Sequence, residues 1–217
     1  MNSALKLSLI VISIAIVFNF IFSILLYFSS DTKNGLFKKI IEFFITIPIF
    51  LPPSVIGYIL ILSLGRNSPI GIFFNKFFNF RFLFTIQGAT IAAIIVSLPI
   101  IYQSIKVSFD SIDRAYIETA ECLGVSMPNM LLHIYLPLSY SKVLSGFVLG
   151  IGRAFGEFGA TILIAGNIPG KTQTLPLALY SAIESGDYIS ANKILFILLS
   201  FSGIFLGLYI FFSKKES

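Results

Sequence analysis

Between two apolar runs the chain reads Asp113-Arg-Ala-Tyr-Ile-Glu-Thr-Ala-Glu-Cys-Leu-Gly124-Val-Ser-Met-Pro-Asn-Met-Leu-Leu-His-Ile-Tyr-Leu-Pro137. Asp113 can accept a hydrogen bond from the free amides of a first helical turn, and Gly124 can adopt the left-handed backbone that ends that helix. Ser126 is placed to begin a second helix, which Pro137 ends because proline lacks an amide hydrogen. The pattern predicts a short helix over 113–124, a glycine turn and a second helix leading into the next apolar run.

The first of these helices has an apolar side. Tyr116, Ile117, Ala120 and Leu123 recur at spacings that can form one face. Such a face can dock on another protein, or it can belong to an ordinary amphipathic helix at a membrane surface. The residue pattern alone leaves both interpretations open.

The composition around this segment indicates a membrane protein. Of 217 residues, 15 are Lys or Arg, 10 are Asp or Glu, and 56% are hydrophobic. Soluble domains carry roughly 25% charged residues, and here the fraction is 12%. This composition argues against a free cytosolic enzyme, a disordered chain and a nucleic-acid binder. The single cysteine, Cys122, forms no internal disulfide and belongs to no pattern of metal ligands.

Five windows are long and apolar enough to span hydrocarbon of about 30 Å as helices. They are residues 7–28, 43–64, 83–104, 143–165 and 194–212. All are free of charge except the fourth window, which contains Arg153 and Glu157. The first is too long for the apolar core of a signal peptide and lacks a small-residue cleavage pattern, so we expect an uncleaved helix. The sequence predicts one all-helical transmembrane domain over residues 1–217, with five spans.

The orientation of these spans is weakly marked by charge. With the N-terminus outside, eight basic residues lie on the inner side and six on the outer side, which is a small bias by the positive-inside rule. The eight inner residues are Lys33, Lys38, Lys39, Lys106, Arg114, Lys142, Lys214 and Lys215. The charge count by itself leaves the topology undecided.

The segment that separates the third and fourth windows resembles the signature motif of ATP-binding-cassette importer permeases, in which Glu-Ala-Ala precedes a glycine and then Ile-x-Leu-Pro. Counted from Glu118, the glycine is at +6, the isoleucine at +16 and the Leu-Pro pair at +18 and +19. Thr119 and Leu131 depart from the usual small and aromatic residues, yet both suit a small and an apolar site. The resemblance makes 113–124, within a coupling segment of 110–137, the helix that seats in a cleft of the ATPase subunit. The residues that it assigns to coupling are Glu118, Ala120, Glu121, Leu123, Gly124, Ile134, Leu136 and Pro137.

Other stretches, from about Leu5 to the end of the chain, are similar to the molybdate permeases of this group. They are Leu51-Pro-Pro-Ser-Val-Ile-Gly57-Tyr58, Gly65-Arg-Asn-Ser-Pro-Ile-Gly71, Arg153-Ala-Phe-Gly-Glu-Phe-Gly-Ala-Thr161 and Gly166-Asn-Ile-Pro-Gly-Lys-Thr-Gln-Thr-Leu-Pro-Leu-Ala-Leu-Tyr180. Sulfate permeases share parts of the last two stretches, so sulfate or another oxyanion is the alternative to molybdate, and tungstate is indistinguishable from it. A secondary carrier or channel, which is a rival of a different class, predicts inverted repeats and several intramembrane acids, whereas only Glu157 lies in a window.

The resemblance implies a multi-pass permease of the cell membrane with the fold of type I importers, the N-terminus outside and the C-terminus and residues 105–142 in the cytoplasm. It implies a homodimer that works with two ATPase subunits and an external solute-binding protein, by alternating access. The chain has no phosphate-binding Gly-x-x-x-x-Gly-Lys-Ser/Thr loop. We therefore expect no cofactor or metal and no catalytic residue in this chain, with ATP and Mg²⁺ bound by the ATPase.

Charged and helix-bending residues in the spans are candidates for the translocation path. Arg153 and Glu157 are four residues apart and can pair on one helix face, because an unpaired charge in a membrane costs at least about 2.5–3.5 kcal/mol. The pair can serve only to fix helix packing, or it can flank the path or its gate. The remaining gate candidates are Pro52, Pro53, Gly156 and Thr161, with Pro48 and Pro99 as further bends.

Pairs of glycines three residues apart permit close helix packing in lipid. They are Gly146 and Gly150, Gly152 and Gly156, and Gly203 and Gly207. Packing within the chain and contact with a second copy are both open. Residues 165–192 are too polar to span and are expected outside.

Overall fold

The computed structural model describes residues 2–29 and 35–214, with side chains from residue 39 onward in the second stretch. Every regular element in these residues is helical, as predicted. The elements are α1 (Asn2–Ser29), α2 (Gly35–Phe50), α3 (Pro53–Leu64), α4 (Pro69–Phe78), α5 (Ile86–Asp110), α6 (Arg114–Cys122), α7 (Met127–Met130), a π-helical turn (Leu131–Tyr135), α8 (Leu136–Phe155), α9 (Gly159–Ala165), α10 (Leu175–Glu184) and α11 (Tyr188–Ser213). Lys33, Lys215 and the side chain of Lys38, three of the basic residues counted on the inner side, lie outside the described residues.

Four helical segments of the described chain are long and apolar enough to cross a membrane. They are α1, α5, the segment Met127–Phe155 and α11, and the bent pair α3 and α4, with 54° between its helices, is a fifth candidate. Three predicted windows fall on α1, α5 and α11. α5 continues to Asp110, six residues past the window, and α11 begins at Tyr188, six residues before it.

The predicted span 43–64 is wrong as a single helix. The helix is interrupted at Pro52, whose backbone is extended (φ −56°, ψ 138°), and α3 begins at Pro53. Proline disfavours helical backbone in the residue before it, so two consecutive prolines break the helix. Pro48 and Pro99, which were predicted to bend spans, lie inside α2 and α5 without ending them.

The predicted span 143–165 is wrong as a single helix and begins too late, whereas its end matches the end of α9 at Ala165. α8 stops before residues 156–158, and α9 follows as a separate helix. At the other end, Pro137 does not end the second helix of the coupling segment, because α7 continues through the π-helical turn into α8. The Leu136 amide donates to the Leu131 carbonyl, five residues back. This wider turn comes just before the proline and accommodates its missing amide hydrogen and its ring.

α5 is the central helix of the bundle and packs mainly against α1 and α8. Its buried side chains include Ala89, Ala92, Ala93, Val96, Ser97, Ile101, Tyr102 and Ile105. Asn19 of α1 is fully buried, and its amide nitrogen donates to the Ile94 carbonyl (3.0 Å) and to the Ser97 hydroxyl (2.9 Å). The outer faces of α1 and α11 carry exposed apolar side chains, as expected of helices in contact with lipid.

Close contact between α8 and α5 depends on two of the predicted glycines. A Cβ at Gly146 would lie 1.6 Å from Ser104 Oγ and 2.1 Å from Ser104 Cβ, and one at Gly150 would lie 2.4 Å from Ile101 Cγ1. Gly146 and Gly150 therefore serve packing within the chain. Among the described residues, nothing lies within 4 Å of a Cβ built at Gly203, and the same holds for Gly152 and Gly207.

Residues 165–187 contain no helix long enough to span and fold onto the bundle, whereas residues 188–192 already belong to α11. Thr172 and Leu175 are fully buried, and the Leu175 amide donates to the Ser8 hydroxyl of α1 at 2.8 Å. The segment therefore covers the end of the bundle at which α1 begins. The composition predicted that this segment is polar. Part of that polarity belongs to the buried Thr172 and not to the surface.

A capped turn links this segment to α11. The Asp187 carboxylate accepts a hydrogen bond from the Ser190 amide (3.0 Å), and hydrogen bonds from Ser190 hold the pKa of Asp187 below its usual value. Because the charged form accepts these bonds, the cap stabilises the helix at neutral pH. This contribution is lost as the pH falls through the lowered pKa.

We expect Gly146→Ala to destabilise the protein and Gly203→Ala to leave it unchanged or slightly more stable. The first change forces α5 and α8 apart, which costs about 1–3 kcal/mol, whereas alanine in an open helical position gains roughly 0.5–1 kcal/mol over glycine. Thermal unfolding of the two purified variants in one detergent measures the difference. Equal unfolding midpoints for the two variants would contradict the packing described above.

Candidate functional site

The coupling segment begins with α6, which the sequence predicted with nearly correct ends. Asp113 caps the helix by accepting a hydrogen bond from the Ala115 amide at 3.0 Å. Gly124 has the left-handed backbone expected of it (φ +70°), and the Val125 amide donates back to the Ala120 carbonyl at 3.0 Å. Ser126 starts the second helix, but its side chain makes no capping hydrogen bond.

Of the four apolar residues that the sequence places on one face, the bundle covers only two. Ala120 is buried and Ile117 is half-buried, so these two hold α6 against the bundle. Tyr116 is 58% exposed and Leu123 is 76% exposed, so the bundle leaves both uncovered. Glu118 and Glu121 are exposed as well, so α6 keeps both apolar and charged side chains free for a partner.

The later part of the motif joins α6 to the bundle. Ile134 and Leu136 are half-buried, whereas Pro137 is exposed. Only the two apolar side chains therefore contribute to packing here. Pro137 lies in the first turn of α8, after the π-helical turn.

An aromatic cluster that sequence analysis missed supports this segment. It consists of Tyr27 and Phe28 at the end of α1, Phe109 at the end of α5, and Tyr135 in the π-helical turn. Ring centroids of Phe109 and Tyr135 are 5.0 Å apart, and those of Phe28 and Tyr135 are 5.1 Å apart. Tyr27 also donates to the Asp110 carboxylate at 2.9 Å. Since the partners come from three distant parts of the chain, no local spacing could have revealed them.

The two broken helices meet at their breaks. A Cβ at Gly159, the first residue of α9, would lie 2.9 Å from Pro53 Cβ, and one at Gly57 would lie 2.9 Å from Ala160 Cα. α3 and α9 therefore pack with their backbones close together. The structure brings the gate candidate Pro53 to the start of α9 but leaves Pro52 exposed.

Arg153 and Glu157 form the predicted ion pair, with 2.9 Å between Arg153 Nη1 and Glu157 Oε2. The Ala160 amide donates to the other carboxylate oxygen at 2.7 Å. α8 ends at Phe155, so the expectation that both residues lie on one continuous helix is wrong. The side chain of Glu157 is 2% exposed and that of Arg153 is 32% exposed. The pair therefore fixes the break between α8 and α9, and a role of Arg153 in the path stays a prediction.

Glu157 and Thr161 face a small polar cavity that also contacts Ser8 and Thr174. Its volume of about 10 Å³ admits one water molecule at most. Thr174 Oγ1 is buried there without a hydrogen-bond partner among the described residues. In this conformation these two gate candidates are closed to an ion the size of an oxyanion. Gly156, by contrast, lies on an open apolar groove with Phe158 and Tyr180.

A second ion pair, half-buried, was not predicted. Glu42 of α2 accepts hydrogen bonds from Lys106 Nζ at 2.6 Å and from the Tyr102 hydroxyl at 3.0 Å. Because Glu42 lies just before a predicted span and its partners are some 60 residues away, the sequence offered no sign of this contact. The described residues include no group of three or more His, Cys, Asp or Glu arranged to hold a metal ion.

Residues 28–215 match the protein family described as the inner membrane component of binding-protein-dependent transport systems. The chain is 39% identical to the molybdenum transport system permease protein ModB of Haemophilus influenzae over 183 residues, which cover 84% of this chain and 80% of that protein. It is 35% identical to ModB of Escherichia coli K12 over 182 residues, with the same coverage. The fold is similar to that of a chain in the crystal structure of a bacterial alginate ABC transporter bound to its periplasmic protein, with a TM-score of 0.76, 16% identity, and coverage of 95% of this chain and 76% of that chain.

We expect Arg153→Gln to lower anion flux more than it lowers the yield of folded protein if Arg153 faces the path. The substitution leaves a buried carboxylate without its cation, which costs about 3–5 kcal/mol, so folding must be measured beside flux. Glu157→Gln is the matched control, because its side-chain oxygen can still accept from the Ala160 amide. Equal losses of uptake and of folded protein in detergent would leave Arg153 only a structural role.

Proposed function

We propose that this chain is the permease subunit of an importer for molybdate. It belongs to the family of inner membrane components of binding-protein-dependent transport systems. The observation that carries the proposal is the similarity to the molybdenum permeases of two bacteria across most of the chain. As a member of this family it is a multi-pass inner membrane protein. Tungstate has the same shape and charge as molybdate, so both are substrates under this proposal.

The coupling segment is the proposed contact with a separate ATPase subunit. α6 leaves Tyr116 and Leu123 exposed, and Glu118 and Glu121 are exposed on the same helix, while Ala120 anchors it. An exposed apolar pair on a helix that also carries charge is suited to a groove on a partner protein. ATP and Mg²⁺ bind to that partner, and two copies of this chain work with two ATPase subunits.

The orientation in the membrane follows from the position of α6. With the coupling segment in the cytoplasm, α1 begins outside and α11 ends inside, and the end of α2 and α3, broken at Pro52, together form the predicted second span, so that α4 lies on the outer side. Residues 165–192 then face outward together with the turns at residues 65–68 and 79–85. This outer surface is where a solute-binding protein delivers the anion.

The broken helices are the proposed gate of the path. α3 and α9 pack at their breaks around Pro53 and Gly159, and helices that end inside a bundle can shift without breaking backbone hydrogen bonds. Arg153 attracts the oxyanion, and the negative charge of Glu157 keeps the anion from binding too tightly to be released. Pro52, Gly156 and Thr161 flank this region, and ATP-driven closure of the ATPases switches it from outward to inward access.

Sulfate is the second candidate substrate. The stretches that contain Gly156, Glu157, Lys171 and Thr172 are shared with sulfate permeases, so they indicate an oxyanion importer without selecting the anion. The Leu51-Pro-Pro stretch and the overall similarity favour molybdate.

We expect ATP-driven uptake of radiolabelled molybdate when this chain is reconstituted with its ATPase and binding protein, and competition by tungstate stronger than by sulfate. Changing Tyr116 and Leu123 together to Ser should lower uptake about tenfold or more, because exposed apolar anchors of an interface contribute roughly 1–2 kcal/mol each. Phe77→Ser is the matched control, since Phe77 is 65% exposed on α4. Uptake that proceeds without any ATPase would refute the proposal.

Cys122 tests the orientation, because it is the single cysteine and is exposed on α6. A membrane-impermeant maleimide should leave it unlabelled in intact cells and label it after permeabilisation. A Cys122→Ser chain that carries Ser185→Cys, at an exposed position of residues 165–192, should give the opposite pattern. Labelling of Cys122 in intact cells would reverse the topology.

A further inference from the structure

Three cationic side chains converge on one cavity that the mechanism above does not use. The cavity has a volume of about 400 Å³ and lies between the turns on either side of α4, the start of α5 and the loop after α9. Arg66, Arg81 and Lys171 line it, together with Asn75. We call these four residues and the cavity between them the basic pocket. Its remaining walls are largely aromatic and aliphatic, with Phe80, Phe82 and Phe84 among them.

None of the three cations has a partner in the described part of the chain. The two ion pairs found there, Arg153 with Glu157 and Lys106 with Glu42, are elsewhere, and no hydrogen bond from Arg66, Arg81 or Lys171 to another side chain is formed. Like charges that share a cavity repel one another. An anion placed between them removes that repulsion, so the pocket carries an unbalanced positive charge that favours an anionic ligand.

The backbone that carries Arg66 is tightly wound. The Ser68 hydroxyl donates to the Gly65 carbonyl at 2.8 Å and accepts from the Gly71 amide at 2.9 Å. A Cβ at Gly71 would lie 2.0 Å from the same Gly65 oxygen, so only glycine fits there. The Gly65–Gly71 stretch noted in the sequence thus sets the position of Arg66.

The other two cations also stand on fixed backbone. The Ile168 carbonyl accepts from the amides of Lys171 (3.1 Å) and Thr172 (2.9 Å), and the buried Thr172 hydroxyl donates to the Gly166 carbonyl at 3.2 Å. Beyond Arg81, the Phe84 amide donates to the Ile164 carbonyl of α9 at 2.9 Å. Two separate sequence stretches, Gly65–Gly71 and Gly166–Thr174, therefore meet at the same cavity.

Asn75 supplies an independent sign of a missing ligand. Its side-chain oxygen is buried without a hydrogen-bond partner among the described residues, and a buried polar atom left unpaired costs about 1–3 kcal/mol. The two ends of an amide exchange by rotation about one bond. Rotation turns the amide hydrogens of Asn75 toward the cavity, where an anion can accept them.

We propose that the basic pocket binds a tetrahedral oxyanion. Arginine forms paired hydrogen bonds to the oxygens of such ions, lysine adds a point charge, and the aromatic walls limit access of water. The ligand is either a free oxyanion or the phosphate of a lipid headgroup, which share this chemistry. Anion binding by the pocket does not rest on the proposed function. The position of the pocket on the outer side, where it is the first site to bind the imported anion, does rest on it.

Equilibrium dialysis of radiolabelled molybdate against the purified full chain in detergent tests the proposal. We expect saturable binding that weakens with added KCl and is displaced by tungstate. Arg66→Gln, Arg81→Gln and Lys171→Gln should each raise the dissociation constant about fivefold or more, which corresponds to about 1 kcal/mol of charge interaction near a protein surface. Lys76→Gln is the matched control, because Lys76 is an exposed cation of α4 that does not line the cavity.

The same measurement in lipid nanodiscs separates the two sources of the ligand. The pocket holds a lipid phosphate if two results are found together. Molybdate binding is abolished in phosphatidylglycerol but not in phosphatidylcholine, and less phosphatidylglycerol copurifies with the three variants than with Lys76→Gln. If molybdate binds equally in both lipids, the ligand is the free ion. Binding that is unchanged in all three variants, or lost only in Arg153→Gln, overturns the proposal.

Failure of this inference can be told apart from failure of the proposed function. Variants that lose molybdate binding at the pocket while the wild-type complex shows no ATP-driven uptake would leave the pocket standing and remove the importer. Normal uptake by the wild-type complex, together with molybdate and lipid binding that does not depend on Arg66, Arg81 and Lys171, would remove the pocket and leave the importer standing.

Discussion

The hydrogen bond from the Ala160 amide to the buried Glu157 carboxylate is the contact on which the rest of the bundle depends. A helix that ends within a bundle leaves backbone amides that must find a partner, since water is excluded. Glu157 accepts one of these amides, and Arg153 compensates the charge that this requires. The acid therefore stabilises the start of α9 and the end of α8 at once. Without Glu157, the Ala160 amide in the first turn of α9 would lose this hydrogen-bond acceptor.

Two further parts of the structure follow from the position of α9. Its Ala160 provides the surface on which Gly57 of α3 packs, so the two broken helices are placed together. Its Ile164 carbonyl accepts from the Phe84 amide, which fixes the turn before α5. The loop that follows α9 carries Lys171 to the same place. The gate candidates thus lie near the start of α9, and the basic pocket lies near its end.

α5 connects this region to the coupling segment. With 25 residues it is about 37 Å long at 1.5 Å per residue, and its two ends are held differently. Near Ile86 it is tied to α9 and the basic pocket, and near Asp110 it is tied to the aromatic cluster beneath α6. Glycines of α8 bring that helix into contact with the middle of α5. Under the proposed function, α5 is the element that would link a displacement of α6 to the helix breaks.

Local signals in the sequence determined the all-helical membrane fold, three of the spans and α6 with its cap at Asp113 and its left-handed Gly124, because helix formation and its termination depend on neighbouring residues. Long-range contacts decided the rest. The course of α8 through Pro137, the exposure of Tyr116 and Leu123 beside buried Ala120, and the meeting of Arg66 with Lys171 all depend on which distant segments pack against them. A sequence of apolar residues shows that a side chain avoids water, but only the packed bundle decides whether lipid, another helix or a partner protein covers it.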